Sequence, residues 1–304
     1  MDLNPNYSLV LAVGEALFDV FEDHEVLGGA PVNAAVHTRQ LLPGVETEVS
    51  IVSRVGQDRL GGLLAEQVLA RGLALDLLQT DASRSTGRAV VTLDSVGHAT
   101  FEIEQDAAWD AIEATDSALE QAARASAVLF GSLAQRAEPS RSSIRAIVAA
   151  CPGIRLFDVN LRQNHYTSEL IHQSLTLASH AKVNQEELAE LDQSLGIKAG
   201  DGDDDRATAM LRKYDLQLLS LTRGEHGCVL YTPSGRFEGE SASFEPERGA
   251  DTVGAGDSTN AALIAGLLRG RDPRRIATHM NRVGAYVATR VGATPKLPDE
   301  LIEA

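Results

Sequence analysis

The stretch DTVGAGDST, residues 251–259, sets Asp251 and Asp257 around a small loop that contains Gly254, Ala255 and Gly256. The apolar run NAALIAGLL, 260–268, follows directly and reads as a helix. A Gly-Ala-Gly turn lets backbone N–H groups approach a ligand and point into one concavity, and the helix behind it adds its positive N-terminal end. Together they make a hole for an anion. A carboxylate inside such a hole has a chemical use if it takes a proton from an attacking hydroxyl while the amides stabilise a transferring phosphoryl group. Asp257 also suits a simpler role as the N-cap of the helix, for which aspartate is among the preferred residues. Dinucleotide binding fits less well, because GxGxxG is absent and the loop lies near the C-terminus.

Elements that could position this loop alternate along the chain. Short β-rich runs occur at LVLAV, VSIVS, AVLFG, RLFDV, AKVN and LLSLT, and most are followed by helical stretches such as LGGLLAEQVLARG, PSRSSIRAIVAAC and DRATAMLRKYD. That order predicts a doubly wound α/β fold, a mostly parallel sheet with helices on both faces. AVVTLDSVGHATFEIE has another texture, two alternating runs around the turn-like DSVGH, and reads as a hairpin outside the main sheet. A second hairpin is expected at GCVLYTPSGRFEG. Polar residues recur just after the strands: Glu15 and Asp19, Arg54 and Gly56, Asn160 and Arg162, Asn184 and Glu187, then Thr222, Arg223 and Gly224. In open α/β sheets the ligand crevice lies at the carboxyl ends of the strands, so these residues should converge there.

Composition narrows the partners. The chain has 304 residues with 43% apolar content, enough for one large core or two modest ones. A formal charge of −16 argues against nucleic acid and anionic membrane surfaces, so a phosphate-bearing ligand must be held by local positive groups. MDLNPNYSLVLAVGEALFDV has no basic region ahead of its apolar run, and no apolar stretch is long enough to span a bilayer, so a cytoplasmic protein is expected. Cys151 and Cys228 are far apart and form no metal-ligand pattern, which leaves them as small core residues. The acidic run DGDDD, 201–205, reads as a solvated loop capping the next helix.

DTVGAGDS is similar to the C-terminal signature of the ribokinase-like, or PfkB, family of carbohydrate kinases, and GGAPVNAA at 28–35 resembles its N-terminal glycine signature. SRVGQDRLG, TGRAVVTLD, DVNLR, KVNQEEL and LTRGEHGCVLY lie between them in the family's order, so the resemblance runs from about Val10 to Pro298. GEALFDVF with its short gap to GGAPVN, and DVNLR, resemble the fructokinase branch. The resemblance implies an ATP- and Mg2+-dependent kinase acting on a free sugar, most simply fructose, with no nucleic-acid or membrane partner and with room for a homodimer. It implies one ribokinase-like domain over 1–304, with excursions near 16–30 and 88–106 forming a small β lid.

Residue by residue, it casts Asp257 as the base and the amides of Gly254, Ala255 and Gly256 as the anion hole. Asp19, Gly28, Gly29 and Asn33, with Asn160 and Arg162, would hold the sugar. Asn184 and Glu187 would organise the magnesium and phosphate shell, with Glu187 acting through water; Thr222, Arg223, Gly224 and Gly227 would follow the ATP phosphates and Asn281 the adenine. The loop that holds a monovalent cation in ribokinases falls on Asp251, Val253, Val287, Arg290, Gly292 and Lys296. A lysine replaces the usual serine at 296; its ammonium could fill the ion's place, though Lys296 reads more simply as an exposed charge. The segment FEIEQDAAWD lacks the basic cluster that a phosphorylated sugar would need. Alternative acceptors are 2-keto-3-deoxygluconate, ribose or a nucleoside. A catalytically silent sugar-binding protein of the same fold is the rival from another class.

Overall fold

The structure, a computed structural model, describes residues 8–22, 24–44, 46–93, 99–197 and 199–303. In chain order its strands are β1 (Ser8–Val13), β2 (Leu17–Val20), β3 (Glu25–Gly28), β4 (Thr47–Gly56), β5 (Leu78–Asp81), β6 (Gly87–Leu93), β7 (Ala99–Ile103), β8 (Ala127–Gly131), β9 (Ile154–Asp158), β10 (His180–Asn184), β11 (Leu218–Thr222), β12 (Cys228–Thr232) and β13 (Gly235–Glu238). The helices are α1 (Ala30–Leu41), α2 (Arg59–Ala70), α3 (Asp116–Ala122), α4 (Glu138–Ala150), α5 (Ser168–Leu177), α6 (Gln185–Ser194), α7 (Asp203–Lys213), α8 (Ala255–Leu268), α9 (Pro273–Val287) and α10 (Asp299–Ile302).

Nine strands form one sheet in the order β13-β12-β11-β10-β9-β8-β1-β4-β5. It is parallel from β11 to β5, and the hairpin β12–β13 continues it antiparallel at one edge. Continuous apolar strands are what a sheet covered on both faces requires, and β1 shows why. Leu9, Leu11 and Val13 enter one hydrophobic core, whereas Val10 and Ala12 enter another. β8 divides in the same way, with Val128 and Phe130 on one side and Ala127 and Leu129 on the other. Helix α8 is buried along Ser258–Gly266 and packs between α1 and α9, so its N-terminus is fixed by two neighbours. The acidic run ends as expected: Gly202 is the N-cap of α7, and Asp203, Asp204 and Asp205 occupy its first turn.

A second sheet has the order β3-β2-β6-β7 and uses both segments marked as excursions. β2 pairs antiparallel with β3 and parallel with β6, and β6 pairs antiparallel with β7. The DSVGH turn between β6 and β7 lies outside the described residues. Trp109 fastens this sheet to the main body. Its ring is fully buried, lies 4.0 Å under the Arg136 guanidinium carbon, and packs on the backbone of Gly87 at the start of β6. A methyl group on Gly87 would collide with the Trp109 indole. Gly87→Ala should therefore cost about 1–3 kcal/mol, the usual penalty of overpacking. Urea unfolding followed through Trp109, the only tryptophan of the chain, reads that loss; an unchanged midpoint would show that the joint yields freely.

Candidate active site

Asp257 is not the helix cap. The N-cap of α8 is Gly254, in the left-handed conformation with φ 76°, and it has no side chain with which to cap. Any other residue there would be strained, and its Cβ would strike the Ala293 backbone. Asp257 stands in the first turn and turns its carboxylate outward to Asn33 of α1, whose Nδ2 donates to Oδ2 at 2.8 Å. The amide of Ala255 donates to the Thr252 carbonyl at 3.2 Å, whereas those of Gly254, Gly256 and Asp257 have no protein acceptor among the described residues. The first turn of α8 is thus a carboxylate beside three open donors, at the positive end of a helix.

Four further acids gather around it. Burial raises Asp257 to about 6, helped by the charge of Asp158, while Asn33, Lys182 and Arg162 pull it down. Glu15, in the turn between β1 and β2, is raised further, to about 7, again by burial first and then by Asp257. One of its oxygens, Oε2, is buried without a hydrogen-bond partner among the described residues. Asp19 on β2 is raised to about 6 by burial, against the pull of Arg162. Asp158 ends β9 and is buried, with Oδ1 taking Lys182 Nζ at 2.9 Å and Oδ2 taking Asn260 Nδ2 at 2.6 Å. Glu187 is raised by burial and by Asp158; its oxygens accept from the amides of Leu161 and Asn184, both at 2.9 Å. The last bond closes a capping box, since Asn184 Oδ1 accepts from Glu187 N at 2.8 Å. Glu187 thereby holds the loop that carries Asn160 and Arg162. A general base raised toward neutrality beside unpaired amides is an arrangement for moving a proton while stabilising an anion.

Residues 1–300 match the family model described as pfkB family carbohydrate kinase. The chain belongs to the PfkB carbohydrate kinase family. It is similar to Fructokinase-1 of Zea mays, 30% identical over 90% of this chain and 85% of the maize protein, and to a fructokinase of Escherichia coli, 29% identical over 95% and 96%. Among solved structures it is similar to a fructokinase with bound ATP from Xylella fastidiosa, with a TM-score of 0.84 at 21% identity over 97% of each chain. Members of this family are carbohydrate kinases, and the doubly wound α/β fold expected from the alternating pattern, in the ribokinase-like form implied by the resemblance, is the one observed.

In this PfkB kinase, several expected ligand residues sit at the carboxyl edge of the sheet and others are turned to internal work. Asp19 lies against Gly28, where an added Cβ would stand 2.9 Å from Oδ2. Gly29 is the N-cap of α1, and Asn33, one turn on, is buried. Asn160 takes a positive φ of 39° and its carbonyl accepts from Ser132 Oγ at 3.2 Å; the exposed Arg162 still acts by charge on Glu15, Asp19 and Asp257. Thr222 ends β11, and Gly224 and Gly227 bound the turn before β12. Arg223 directs one guanidinium nitrogen, Nη2, to Glu238 of β13 and the His226 carbonyl, while its Nε has no partner among the described residues. Asn281 packs on Gly227, and both ends of its amide are taken: Oδ1 by Cys228 N at 2.8 Å and Nδ2 by the Glu240 carbonyl at 2.9 Å.

The cation loop also departs from expectation. Asp251 N donates to the Arg290 carbonyl at 3.1 Å, and its carboxylate takes the amides of Val253 and Gly292, both at 2.9 Å. The Val287 carbonyl accepts from Arg290 N at 3.0 Å. Lys296 is exposed and forms no ion pair among the described residues, so its ammonium does not replace an ion there. The cause lies in its neighbours. Gln40 grips the Pro295 carbonyl and the Leu297 amide, which buries Leu297 and leaves the side chain between them outside. Glu15 lies in the crevice where the sequence placed it, and two residues that sequence reasoning left without a role, Asp158 and Lys182, prove central. Their signal was a charged side chain in or beside a buried parallel strand.

Glu15 supplies a test of this electrostatic picture. A carboxyl that holds its proton more tightly in the fold than in the unfolded chain favours folding while protonated, and that contribution is lost as pH rises through the folded value. Glu15→Gln cannot ionise, so its stability should gain on the parent's as pH rises from about 4.5 to about 7, then run parallel. Paired urea titrations across that range read the difference. A constant offset would show that Glu15 ionises in the fold as freely as in water.

Proposed function

We propose that this carbohydrate kinase is a cytoplasmic, ATP-dependent fructokinase, transferring the γ-phosphoryl group of ATP to a hydroxyl of free fructose. The observation that carries the reading is Asp257: it is released from capping, raised to about 6, oriented by Asn33 and set beside the open amides of Gly254 and Gly256. Fructose is supported by relatives named fructokinase at about 30% identity, and by a similar structure, 24% identical with a TM-score of 0.80, of a Vibrio cholerae fructokinase in a fructose-, ADP- and calcium-bound form. A kinase that draws on ATP works where ATP is made available, which is the basis for the cytoplasmic assignment.

In the reaction, Asp257 accepts the proton of the attacking hydroxyl as its oxygen bonds to the γ-phosphorus and the bond from that phosphorus to the ADP oxygen breaks. The open amides at the α8 N-terminus take up charge on the phosphoryl oxygens. Asp19, Asn33 and Arg162 surround the acceptor side, and Asn160 borders it from the end of β9. Closure of the small sheet, β2, β3, β6 and β7, would exclude water, which competes with sugar for the phosphoryl group. Magnesium bound to the ATP phosphates supplies further positive charge when present. Glu187 would meet that ion through water, with each of its oxygens already accepting one backbone amide. The carbonyls of Val287 and Arg290 keep one lone pair each for a monovalent cation, a fit that the lysine at 296 does not block.

Asp257→Asn keeps the size and most of the hydrogen bonding of the side chain but removes the proton acceptor. kcat should fall by on the order of 10²–10⁴ while sugar affinity changes little. In the parent, kcat should decline as pH drops through about 6, since protonation disables the base. Retention of more than about a third of kcat in the variant would leave the enzyme without an identified base. A coupled ADP-release screen over free hexoses, pentoses, sugar acids, nucleosides and sugar phosphates decides the acceptor. A neutral sugar should be preferred over its monophosphate at least about tenfold, roughly 1.4 kcal/mol. Two arginines that could otherwise meet a sugar phosphate are paired: Arg54 with Asp81 at 3.0 Å and Glu113 at 2.5 Å, and Arg88 with Glu104 at 2.9 Å. Faster turnover of 2-keto-3-deoxygluconate, ribose or a nucleoside would reassign the acceptor, and sugar binding without ATP turnover would make the protein a silent binder.

A further inference from the structure

Lys182 sits within β10 between Ala181 and Val183, both fully buried, where a charged side chain needs a reason. It stands opposite Asp158 in the parallel register of β10 with β9, and the side chains of the ion pair are only 9% and 5% exposed. A buried pair by itself contributes little to stability, because desolvation offsets most of the attraction. Its placement is the informative feature. A Cβ built on Gly256 would lie 3.8 Å from Nζ, so the ammonium rests against the first turn of α8. That is the positive end of a helix, where a cation is disfavoured. The same turn presents the amides of Gly254, Gly256 and Asp257 without protein acceptors among the described residues. Asp158 is one of three carboxylates that act on the ammonium, with Glu187 and Asp257, and its second oxygen is held by Asn260 at 2.6 Å. A cation, a helix N-terminus and open amides at one point call for an anion.

We propose that Lys182 is an electrostatic positioning residue of phosphoryl transfer: Asp158 and Asn260 hold its ammonium against Gly256, where it offsets the negative charge that gathers at the α8 N-terminus as the phosphoryl group leaves ATP. This rests on the kinase reading of Asp257. Lys182 also acts on the base. Asp257 is faced by Asn33 from α1, Asp158 from β9, Lys182 from β10, Arg162 from the loop after β9, Glu15 from the turn after β1 and Asp19 from β2. Of these, Asp158 disfavours the ionised base, and Lys182 and Arg162 favour it. Glu187, on α6, also acts by charge on the ammonium.

The test uses Lys182→Met, Asp158→Asn and the double variant, each assayed for kcat against pH, sugar affinity by calorimetry and thermal unfolding. Lys182→Met should lose roughly 10²-fold in kcat, the scale for removing one preorganised charge-stabilising group, with sugar affinity nearly kept. Its acid limb should move to higher pH, and that of Asp158→Asn to lower pH. Replacing both partners by neutral residues is far milder for the fold than orphaning one. The double variant should therefore unfold near the parental temperature yet stay slow, and it carries the test if Lys182→Met alone does not fold. A double variant that recovers both stability and kcat would reduce the pair to a structural tie and overturn the inference. So would a folded Lys182→Met with parental kcat and acid limb. A parent that turns over no ATP with any sugar removes the kinase reading itself, and this inference with it, an outcome distinct from a working parent matched by a working variant.

Discussion

Negative charge packed at one end of a parallel sheet is the constraint on which this structure turns. Asp158, Glu187 and Asp257 act on one buried ammonium, and Glu15 and Asp19 act in turn on Asp257, with Arg162 beside them. Like charges so close in a poorly solvated site cannot all ionise at ordinary carboxylate values. The chain gives each acid a different environment. Asp158 has a lysine and an asparagine amide, Glu187 has two backbone amides, Asp257 has one asparagine, and Glu15 keeps an oxygen without a partner. Glu15 is raised to about 7 and Asp257 to about 6, and neighbouring carboxyls with different proton affinities can take different roles.

The sheet order makes that distribution reachable. Adjacent β9 and β10 bring Asp158 and Lys182 opposite each other, and α6, beginning at the end of β10, lets Glu187 return to the Leu161 amide. The contact between α1 and α8 does the same from the other side, since Asn33 and Asp257 are 224 residues apart in the chain and 2.8 Å apart in space. Raising Asp257 toward neutrality works against stability in the ionised state, yet it strengthens the group as a proton acceptor. Local instability and chemical competence here have one cause, the removal of carboxylates from water.

Much of this could be read from the chain, and the omissions have physical reasons. β1, β8 and β11 were legible because a strand buried on both faces must be continuously apolar. β5 was not, since LQTD is a short, largely polar edge strand whose only argument for pairing is its neighbour β4. The loop around Asp257 announced a site, but whether Asp257 capped the helix depended on the geometry of Gly254, which no residue name reveals. The resemblance cast Arg223 and Asn281 as ligand residues. Some of their polar atoms bond to Glu238, Glu240 and Cys228, partners set by how the β12–β13 hairpin and α9 meet. For Lys296 the simpler reading, an exposed charge, is the one observed, and the grip of Gln40 on both flanking residues, which turns it outward, spans more than 250 positions.

A strongly acidic chain that holds a polyanion looks contradictory until distances are considered. The formal charge of −16 is spread over the whole molecule, and in physiological salt its field fades within about 8 Å. Amides at a helix N-terminus and an ammonium behind them act at hydrogen-bond range, inside a volume that counterions do not fill. Composition therefore speaks to approach and to broad partners, such as nucleic acid, whose many phosphates meet the surface at once. It does not speak to a ligand that offers one small cluster of charge to one pocket. Affinity for such a ligand is decided by a few oriented donors, and here those donors are placed at the one point of the sheet where the chain has concentrated both its acids and the cation that holds them apart.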